Sequence, residues 1–264
     1  MLELVNVRKT FNAKTVNEKI ALDGLNLQLQ DGDFMTVIGG NGAGKSTMLN
    51  AIAGVWPIDG GNIAIDGYEL THLPEYRRAG LLGRVFQDPM TGTAATMQIE
   101  ENLALAARRG HKRTLRIGIT RQEREAYREK LKKLGLGLED RMTTKVGLLS
   151  GGQRQALTLL MATLKKPKLL LLDERTAALD PRTAQKVLEL SEQIVTENNL
   201  MTLMVTHNMR DAIRYGNRLI MMNNGRVILD IAGEEKKHLT VEMLMEAFAK
   251  ASGEAFANDR VLLS

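Results

Sequence analysis

The sequence predicts an α/β fold with a mixed, partly parallel sheet, an N-terminal antiparallel β-layer and an inserted helical subdomain. Three observations lead to this prediction. Apolar and polar residues alternate at 2–7 and 25–29, as in half-buried antiparallel strands. Short, largely apolar runs at 34–38 and 169–172 are typical of buried parallel strands. From residue 96 to about 133 strand signals disappear and charged residues crowd helical patterns.

The other elements follow from the same patterns and from turn residues. Further strands are predicted at 62–67, 82–87, 200–206, 218–222 and 226–230. Helices are predicted at 46–53, 154–164, 181–196 and 239–251. Asp180 is the predicted N-cap of the third of these helices, because Pro181 suits a first helical position.

Composition limits the classes of protein. The 264 residues are enough for a large buried core, and 25% charged with 44% apolar residues is ordinary for a globular protein. No apolar run reaches the length of a membrane span, and the N terminus shows no secretory pattern. The absence of cysteine excludes disulfides and thiolate chemistry. The net charge of +5 suits an anionic partner, either a nucleotide, an anionic membrane surface or a nucleic acid.

The most informative motif lies between the strand at 34–38 and the helix that follows it. It fits the pattern G-x-x-x-x-G-K-[ST], in which glycines let backbone N–H groups turn inward around a phosphate. The lysine brings a charge to the β- and γ-phosphates, and the hydroxyl can bind Mg²⁺. This strand–loop–helix order predicts a P-loop NTPase core, with a chance glycine-rich turn as the alternative. The predicted nucleotide-binding residues of this phosphate loop are Gly39, Asn41, Gly42, Ala43, Gly44, Lys45, Ser46 and Thr47.

Asp173 and Glu174 directly follow the strand of leucines at 169–172. Parallel α/β sheets bind ligands at this C-terminal edge of their strands. Asp173 can hold Mg²⁺, directly or through water, and Glu174 can polarise an attacking water. Acidic residues after a strand are common, so this pair indicates a metal site only in combination with the phosphate loop upstream.

A second candidate anion site comprises Ser150, Gly151, Gly152 and Gln153, just before a predicted helix. A hydroxyl, two glycines and a helix N-terminus suit an anion. Because the phosphate loop already holds the single triphosphate of one nucleotide, a second site would serve the nucleotide of another subunit. The alternative is an ordinary helix N-cap, in which Ser150 satisfies backbone donors.

Together these motifs resemble those of the ATP-binding cassette (ABC) family, over roughly residues 2–230. Residues 39–47 resemble Walker A, residues 169–174 resemble Walker B, and residues 149–153 resemble the signature motif. Asp180 stands at the end of a segment similar to the D-loop, and the resemblance counts it among the nucleotide-binding residues. So many motifs in the family's order leave little room for chance.

Three more side chains take roles through this resemblance. Gln87 stands at the Q-loop position, which implies contact with Mg²⁺ and the attacking water, although alone it is an ordinary polar residue after a strand. His207 matches the switch histidine that senses the γ-phosphate, whereas a lone histidine is more often structural. Phe11 stands where the family places the aromatic residue that stacks on adenine, but a lone aromatic near a strand end is usually core.

The resemblance implies ATP hydrolysis with ATP and Mg²⁺ as cofactors. The implied catalytic residues are Glu174, His207 and Gln87, and the implied metal ligands are Ser46, Gln87 and Asp173. One departure is Arg175, because the family usually has proline directly after the catalytic glutamate. Arginine leaves φ freer and adds a cation to this segment.

The implied assembly is a head-to-tail homodimer that holds two ATP molecules, each between one subunit's phosphate loop and the other's Ser150. The permease would be a separate transmembrane polypeptide, as in prokaryotic uptake systems. Segments 94–104 and 176–180 look most like amino-acid importers, which work with an extracytoplasmic solute-binding protein. We expect a peripheral location on the cytoplasmic face of the plasma (inner) membrane, and no nucleic acid as partner.

The expected organisation is a single nucleotide-binding domain. Its core and β-layer would occupy 1–87 and 165–232, the helical subdomain with the signature motif 88–164, and a C-terminal helical tail 233–264.

Two alternative functions stay open at this point. A soluble ABC ATPase of translation or DNA repair is one, although such relatives usually carry two cassettes or a long coiled-coil insertion. A nucleotide-gated module that barely hydrolyses ATP is the other, and Glu174 and His207 argue against it. The basic stretch 108–116 is either a solvated surface or a contact for anionic lipid headgroups. Its lack of interleaved aromatic residues disfavours nucleic acid.

Overall fold

The computed structural model of the chain describes residues 1–88, 90–110, 118–173 and 181–252. The predictions made for Glu174, Arg175 and Asp180, and for most of the basic stretch 108–116, lie outside these ranges. The chain forms two compact units, Met1–Arg78 with Asn199–Ser264, and Ala79–Asn198. The division into core, helical subdomain and tail stays a prediction.

The described strands and helices agree closely with the predicted ones. The strands are β1 (Leu2–Phe11), β2 (Lys19–Leu29), β3 (Phe34–Ile38), β4 (Gly60–Ile65), β5 (Tyr68–Glu69), β6 (Leu82–Val85), β7 (Leu169–Asp173), β8 (Met201–Val205), β9 (Arg218–Asn223) and β10 (Arg226–Ala232). The helices are α1 (Lys45–Ala53), α2 (Glu75–Arg78), α3 (Ile99–Ala107), α4 (Arg121–Lys132), α5 (Gly151–Thr163), α6 (Pro181–Asn198), α7 (Met209–Arg214), α8 (Gly233–Lys237) and α9 (Val241–Ser252). None of the helices in the described ranges is long and apolar enough to cross a membrane.

The antiparallel layer predicted at the N terminus is confirmed. In the first unit the strands lie in the order β2-β1-β4-β5, with β1 antiparallel to both of its neighbours. Leu4 pairs with Leu27 of β2 and Ile63 of β4, and all three side chains are buried. The alternating pattern therefore marks one apolar face of this layer, as period-two strands require.

The parallel strands of the same unit surround β3. Their order is β10-β9-β3-β8, with β3 parallel to both β8 and β9 and the hairpin strand β10 antiparallel to β9. All five residues of β3 and all five of β8 are buried. A strand with neighbours on both sides and no solvent face needs such a largely apolar run.

The second unit contains the parallel pair β6 and β7 and the helices α3 to α6. Helix α3 begins at Ile99, inside the stretch predicted to be helical, and the N–H of Gln98 donates to the Glu101 carboxylate at 2.7 Å. Helices α3 and α4 are joined by an ion pair in which the Arg124 guanidinium donates to both oxygens of the buried Glu100 carboxylate, at 2.7 and 2.8 Å. The predicted helical character of this stretch is confirmed.

Four short elements, β5, α2, α7 and α8, were not predicted. None is longer than six residues. A segment this short cannot display a full apolar period, and an isolated turn of helix is unstable in water. Helix α7 is instead stabilised by its N-cap Asn208, whose side-chain oxygen accepts hydrogen bonds from the N–H groups of Arg210 and Asp211.

Arg78 at the end of α2 closes the C-terminal end of α1. It is only 2% exposed, and its guanidinium donates to the carbonyl oxygens of Ala51 and Ile52, at 2.7 and 2.9 Å. It also donates to the carbonyls of Thr71 and Leu73. Burial lowers the pKa of this guanidinium. The last carbonyls of a helix lack intrahelical donors, so Arg78 supplies what α1 cannot.

Replacing Arg78 with methionine is therefore expected to lower the free energy of unfolding by about 2–4 kcal/mol, because buried carbonyls lose their donors. The neighbouring Arg77 is exposed and provides a matched control, R77M, with an expected change within about 0.5 kcal/mol. Urea denaturation monitored by circular dichroism measures both. Equal stability of the two variants would contradict the capping role of Arg78.

Candidate functional site

The phosphate loop connects β3 to α1 with a backbone that only glycine accepts at two points. Gly39 and Gly44 have φ angles of 148° and 103°. A methyl group on Gly39 would lie 2.2 Å from the Met222 carbonyl oxygen, and one on Gly44 would lie 2.5 Å from that of Ala21. The loop is thus pressed between β9 and β2, and any side chain at either glycine would force these backbones apart.

Lys45 is the first residue of α1 and is 5% exposed. Its ammonium group donates to the carbonyl oxygens of Gly39, at 2.5 Å, and of Gly40, at 3.0 Å. Both carbonyls belong to the loop itself, so the charge is held inside the loop. Phosphate oxygens are acceptors of the same kind, with the added advantage of negative charge.

Helix α1 adds its own attraction for an anion. Its first turn carries no acidic side chain, so the positive end of its dipole is not neutralised there. Ser46 is exposed in that turn, whereas Ala43 and Thr47 are buried. The hydroxyl oxygen of Ser46 is the type of ligand that Mg²⁺ prefers.

The hairpin turn between β9 and β10 also fixes the phosphate loop, which the sequence did not indicate. The N–H of Gly225 donates to the Ala43 carbonyl at 3.0 Å, and the Gly225 carbonyl accepts from the N–H of Asp23 at 3.1 Å. A methyl group on Gly225 would approach the Ala21 carbonyl oxygen to 2.8 Å. One glycine thus connects three segments that are far apart in the sequence.

His207 emerges at the same sheet edge as the phosphate loop. Val37 of β3 pairs with Val205 of β8 in a parallel register, and each strand continues into its functional segment within two residues. The N–H of Thr206 donates to the Val37 carbonyl at 3.1 Å, which extends this pairing toward the half-buried His207. Within the first unit, the structure therefore brings His207 and the loop to one edge.

Gln87 and Asp173 share a sheet edge in the second unit. Val85 of β6 pairs with Leu172 of β7 in a parallel register, so both segments leave at the same end. Gln87 is exposed and Asp173 is half-buried. The Asp173 carboxylate and the Gln87 amide both offer oxygen ligands of the kind that suit Mg²⁺. Glu174, the next residue, lies outside the described residues.

Ser150 caps helix α5 as the simpler interpretation predicted. Its hydroxyl accepts from the N–H of Gln153 at 3.3 Å, and the N–H of Ser150 donates to the Gln153 side chain at 3.2 Å. Ser150 and Gly151 are exposed, whereas Gly152 is buried. A methyl group on Gly152 would lie 1.9 Å from Thr183 Cγ2 of α6, so close helix packing alone requires this glycine. Capping leaves the outer surface of Ser150 and Gly151 available to a further partner.

Arg154, one turn into α5, holds the segment in front of the capping serine. Its guanidinium donates to the carbonyl oxygens of Val146, Gly147 and Leu149, at 3.1 to 3.4 Å. The local sequence does not indicate this role of Arg154, because an arginine in a helix is usually a surface residue. These hydrogen bonds fix the backbone conformation of the segment that precedes Ser150.

Phe11 contacts another aromatic ring. It ends β1 and meets Trp56 edge-to-face, with ring centroids 5.0 Å apart and an interplanar angle of 82°. The Lys9 ammonium lies 5.5 Å from the Phe11 ring centroid. The ring is half-buried, and its stacking on adenine stays a prediction.

Two arginines of the basic stretch 108–116 are described, and both have internal contacts. Arg108 donates to the Glu123 carboxylate at 3.3 Å. Arg109 is half-buried, and burial lowers its pKa. It donates to the carbonyl oxygens of Ala162, in the last turn of α5, and of Lys165, just beyond that helix. These two charges therefore help to hold the second unit together.

The ABC transporter family model matches residues 22–177. The chain belongs to the ABC transporter family. Family membership identifies it as an ATP-binding, ATP-hydrolysing subunit with the fold that the sequence predicted.

Individual relatives and solved structures agree with this assignment. A tyrosine transport ATP-binding protein of Clostridioides difficile is 44% identical over 251 residues, which cover 95% of this chain and 100% of that protein. A methionine import ATP-binding protein of Rhizobium etli is 34% identical over 86% of this chain, which spans 60% of that relative's length. A dimeric ATP-binding cassette solved with ADP and phosphate is 30% identical, with a TM-score of 0.74 over 88% of this chain and 98% of that one.

These similarities confirm the predicted transport ATPase and do not support a soluble ATPase of translation or DNA repair. ABC cassettes dimerise and work with membrane permease subunits, so the predictions of a second cassette and of a permease as partners are also confirmed. The roles of individual site residues stay predictions.

Proposed function

We propose that this chain powers the import of an amino acid, with tyrosine or a similar solute as cargo. The observation that carries this proposal is the 44% identity to a tyrosine transport ATP-binding protein along that protein's whole length. A second amino-acid system, the methionine import protein, supports the same class of cargo at lower identity. The working position is the cytoplasmic face of the plasma membrane, beside a separate permease and an extracytoplasmic solute-binding protein.

The proposed active assembly is a head-to-tail homodimer. In it, the phosphate loop of one subunit and the Ser150–Gly151–Gly152 segment of the other enclose one ATP. Two features support this arrangement: Ser150 and Gly151 are exposed at the N-terminus of α5, and a similar cassette is a dimer in its complex with ADP and phosphate. A helix N-terminus with free surface suits a phosphate group.

The proposed chemistry is phosphoryl transfer to water, driven by position and charge. Lys45 and the loop N–H groups hold the triphosphate, and Glu174 accepts a proton from the attacking water. His207 contacts the γ-phosphate, and Gln87 orients the water. When Mg²⁺ is bound, with Ser46 and Asp173 as protein ligands, it neutralises charge on the phosphates.

Mixing two inactive variants tests whether each ATP site is shared between two subunits. S150R alone is expected to lose ATPase activity while its monomer binds ATP as tightly as the wild type, because its phosphate loop is intact. K45A alone is expected to be inactive because its loop cannot hold ATP.

A mixture of the two variants should regain part of the activity, since one composite site joins the intact loop of S150R to the intact Ser150 of K45A. Steady-state phosphate release measures all three samples. No recovery in mixtures that form heterodimers would exclude a site shared between subunits.

The cargo is tested by uptake. Cells that lack this chain should take up labelled tyrosine more slowly, and the wild-type gene should restore uptake while K45A should not. Competition by unlabelled amino acids then orders the cargoes. If cells without this chain take up tyrosine normally but take up another class of solute poorly, the proposal of an amino-acid cargo is wrong.

A further inference from the structure

A second lysine, absent from the predicted site, reaches the phosphate loop. Lys19 is the first residue of β2 and is exposed. A methyl group placed on Gly42 would lie 3.2 Å from the Lys19 ammonium nitrogen and 4.0 Å from the carbon that carries it. The ammonium group of Lys19 therefore lies over the middle of the loop.

Lys19 and Lys45 approach the loop differently. The Lys45 ammonium is buried and held by the carbonyls of Gly39 and Gly40. The Lys19 ammonium instead lies beside Gly42, and both residues are exposed. Two cations thus flank one anion-binding loop from separate positions, and their charges act together on a polyphosphate.

The Lys19 charge has no acidic partner among the residues described by the structure. No ion pair within these ranges involves its ammonium group, and the carboxylate of the adjacent Glu18 accepts from the N–H of Lys14 at 2.6 Å. Its position is also set by the sheet, since Lys19 pairs with Phe11 in the register of β1 and β2. Side chains of a directly opposed pair lie on the same face.

We propose that Lys19 is a second cation of the nucleotide site and donates hydrogen bonds to the phosphate chain of bound ATP. The inference rests on the proposed function of the phosphate loop and adds a residue to it. Phe11 and Lys19 are paired across β1 and β2. In this arrangement Phe11 contacts the adenine and Lys19 contacts the phosphates, so the pairing sets the distance between the two contacts.

The test measures equilibrium binding of a fluorescent ATP analogue, with ATP and inorganic tripolyphosphate as competitors. Replacing Lys19 with glutamine is expected to weaken both competitors by about fivefold to twentyfold, because one charge-assisted contact is lost. K19R should keep most of the affinity. K130Q removes an exposed lysine of α4 and serves as the charge-matched control, with wild-type affinity expected.

Each outcome separates this inference from the proposed function. If wild-type protein binds ATP, K45A does not, and K19Q binds like K130Q, then only the role of Lys19 is overturned. If K19Q weakens ATP but leaves tripolyphosphate unchanged, Lys19 contacts the nucleoside and the phosphate assignment is overturned. If wild-type protein binds neither competitor, the proposed function itself fails. Equal melting temperatures of K19Q and K130Q verify that the comparison reports binding.

Discussion

Replacing Lys45 with alanine is expected to abolish measurable ATP binding, with a loss of affinity of about 100-fold or more. The reason is the position of the ammonium group, which is buried inside the loop and held by two loop carbonyls. Alanine removes the charge at the place where the loop and the N-terminus of α1 converge. Water cannot replace a fixed cation for a polyphosphate, because it brings no net charge.

A second buried lysine in the same unit provides a strict control. Lys236 is 3% exposed, and its ammonium donates to the carbonyls of Tyr215 and Gly216, in the same manner as Lys45. K236M should therefore lower the thermal stability without affecting ATP affinity. Isothermal titration of both variants checks the prediction. Comparable loss of ATP affinity in K236M would show that K45A acts through folding and not through the phosphates.

Replacing Glu174 with glutamine is expected to slow ATP hydrolysis by about 10²–10⁴-fold, the contribution typical of general acid–base catalysis. Glutamine keeps the size of the side chain and removes the group that accepts the proton. ATP should bind with wild-type affinity, and the ATP-bound dimer should persist longer because hydrolysis no longer opens it. Single-turnover phosphate release and size-exclusion chromatography with ATP measure the two effects.

A distant glutamate serves as the control for this substitution. Glu197 is exposed on α6 and accepts a hydrogen bond from the Gln193 side chain. E197Q should hydrolyse ATP at the wild-type rate. Unchanged turnover in E174Q would remove Glu174 from its assigned role and would direct attention to His207 as the proton acceptor.

Much of the fold could be predicted because its elements carry local patterns. The apolar run at 34–38 coincides with β3, and the alternation at 2–7 and 25–29 marks strands that pair in the antiparallel layer. The strands predicted at 218–222 and 226–230 likewise coincide with β9 and β10. Each of these signals lies within a dozen residues and needs no knowledge of the rest of the chain.

The candidate site divides in the same way. Residues 39–47 of the phosphate loop form a contiguous motif, so the sequence identified them as a unit. The roles of Arg78, Gly225 and Lys19 were not predicted because each of these residues contacts segments distant in the sequence. Gly225, for example, contacts Ala43 and Asp23. The local sequence around a lysine or a glycine does not predict which distant backbone segment that residue will contact.

The sequence by itself determined the class of the protein, its phosphate loop and the order of its motifs, because period, turn chemistry and motif spacing are local properties. Only the tertiary structure decided which atoms hold the loop in shape. Gly39 and Gly44 are irreplaceable because strands β9 and β2 lie against them, and Lys45 is fixed by the carbonyls of the loop that it serves. Close packing of segments far apart in the chain sets these contacts, and packing is a property of the folded whole.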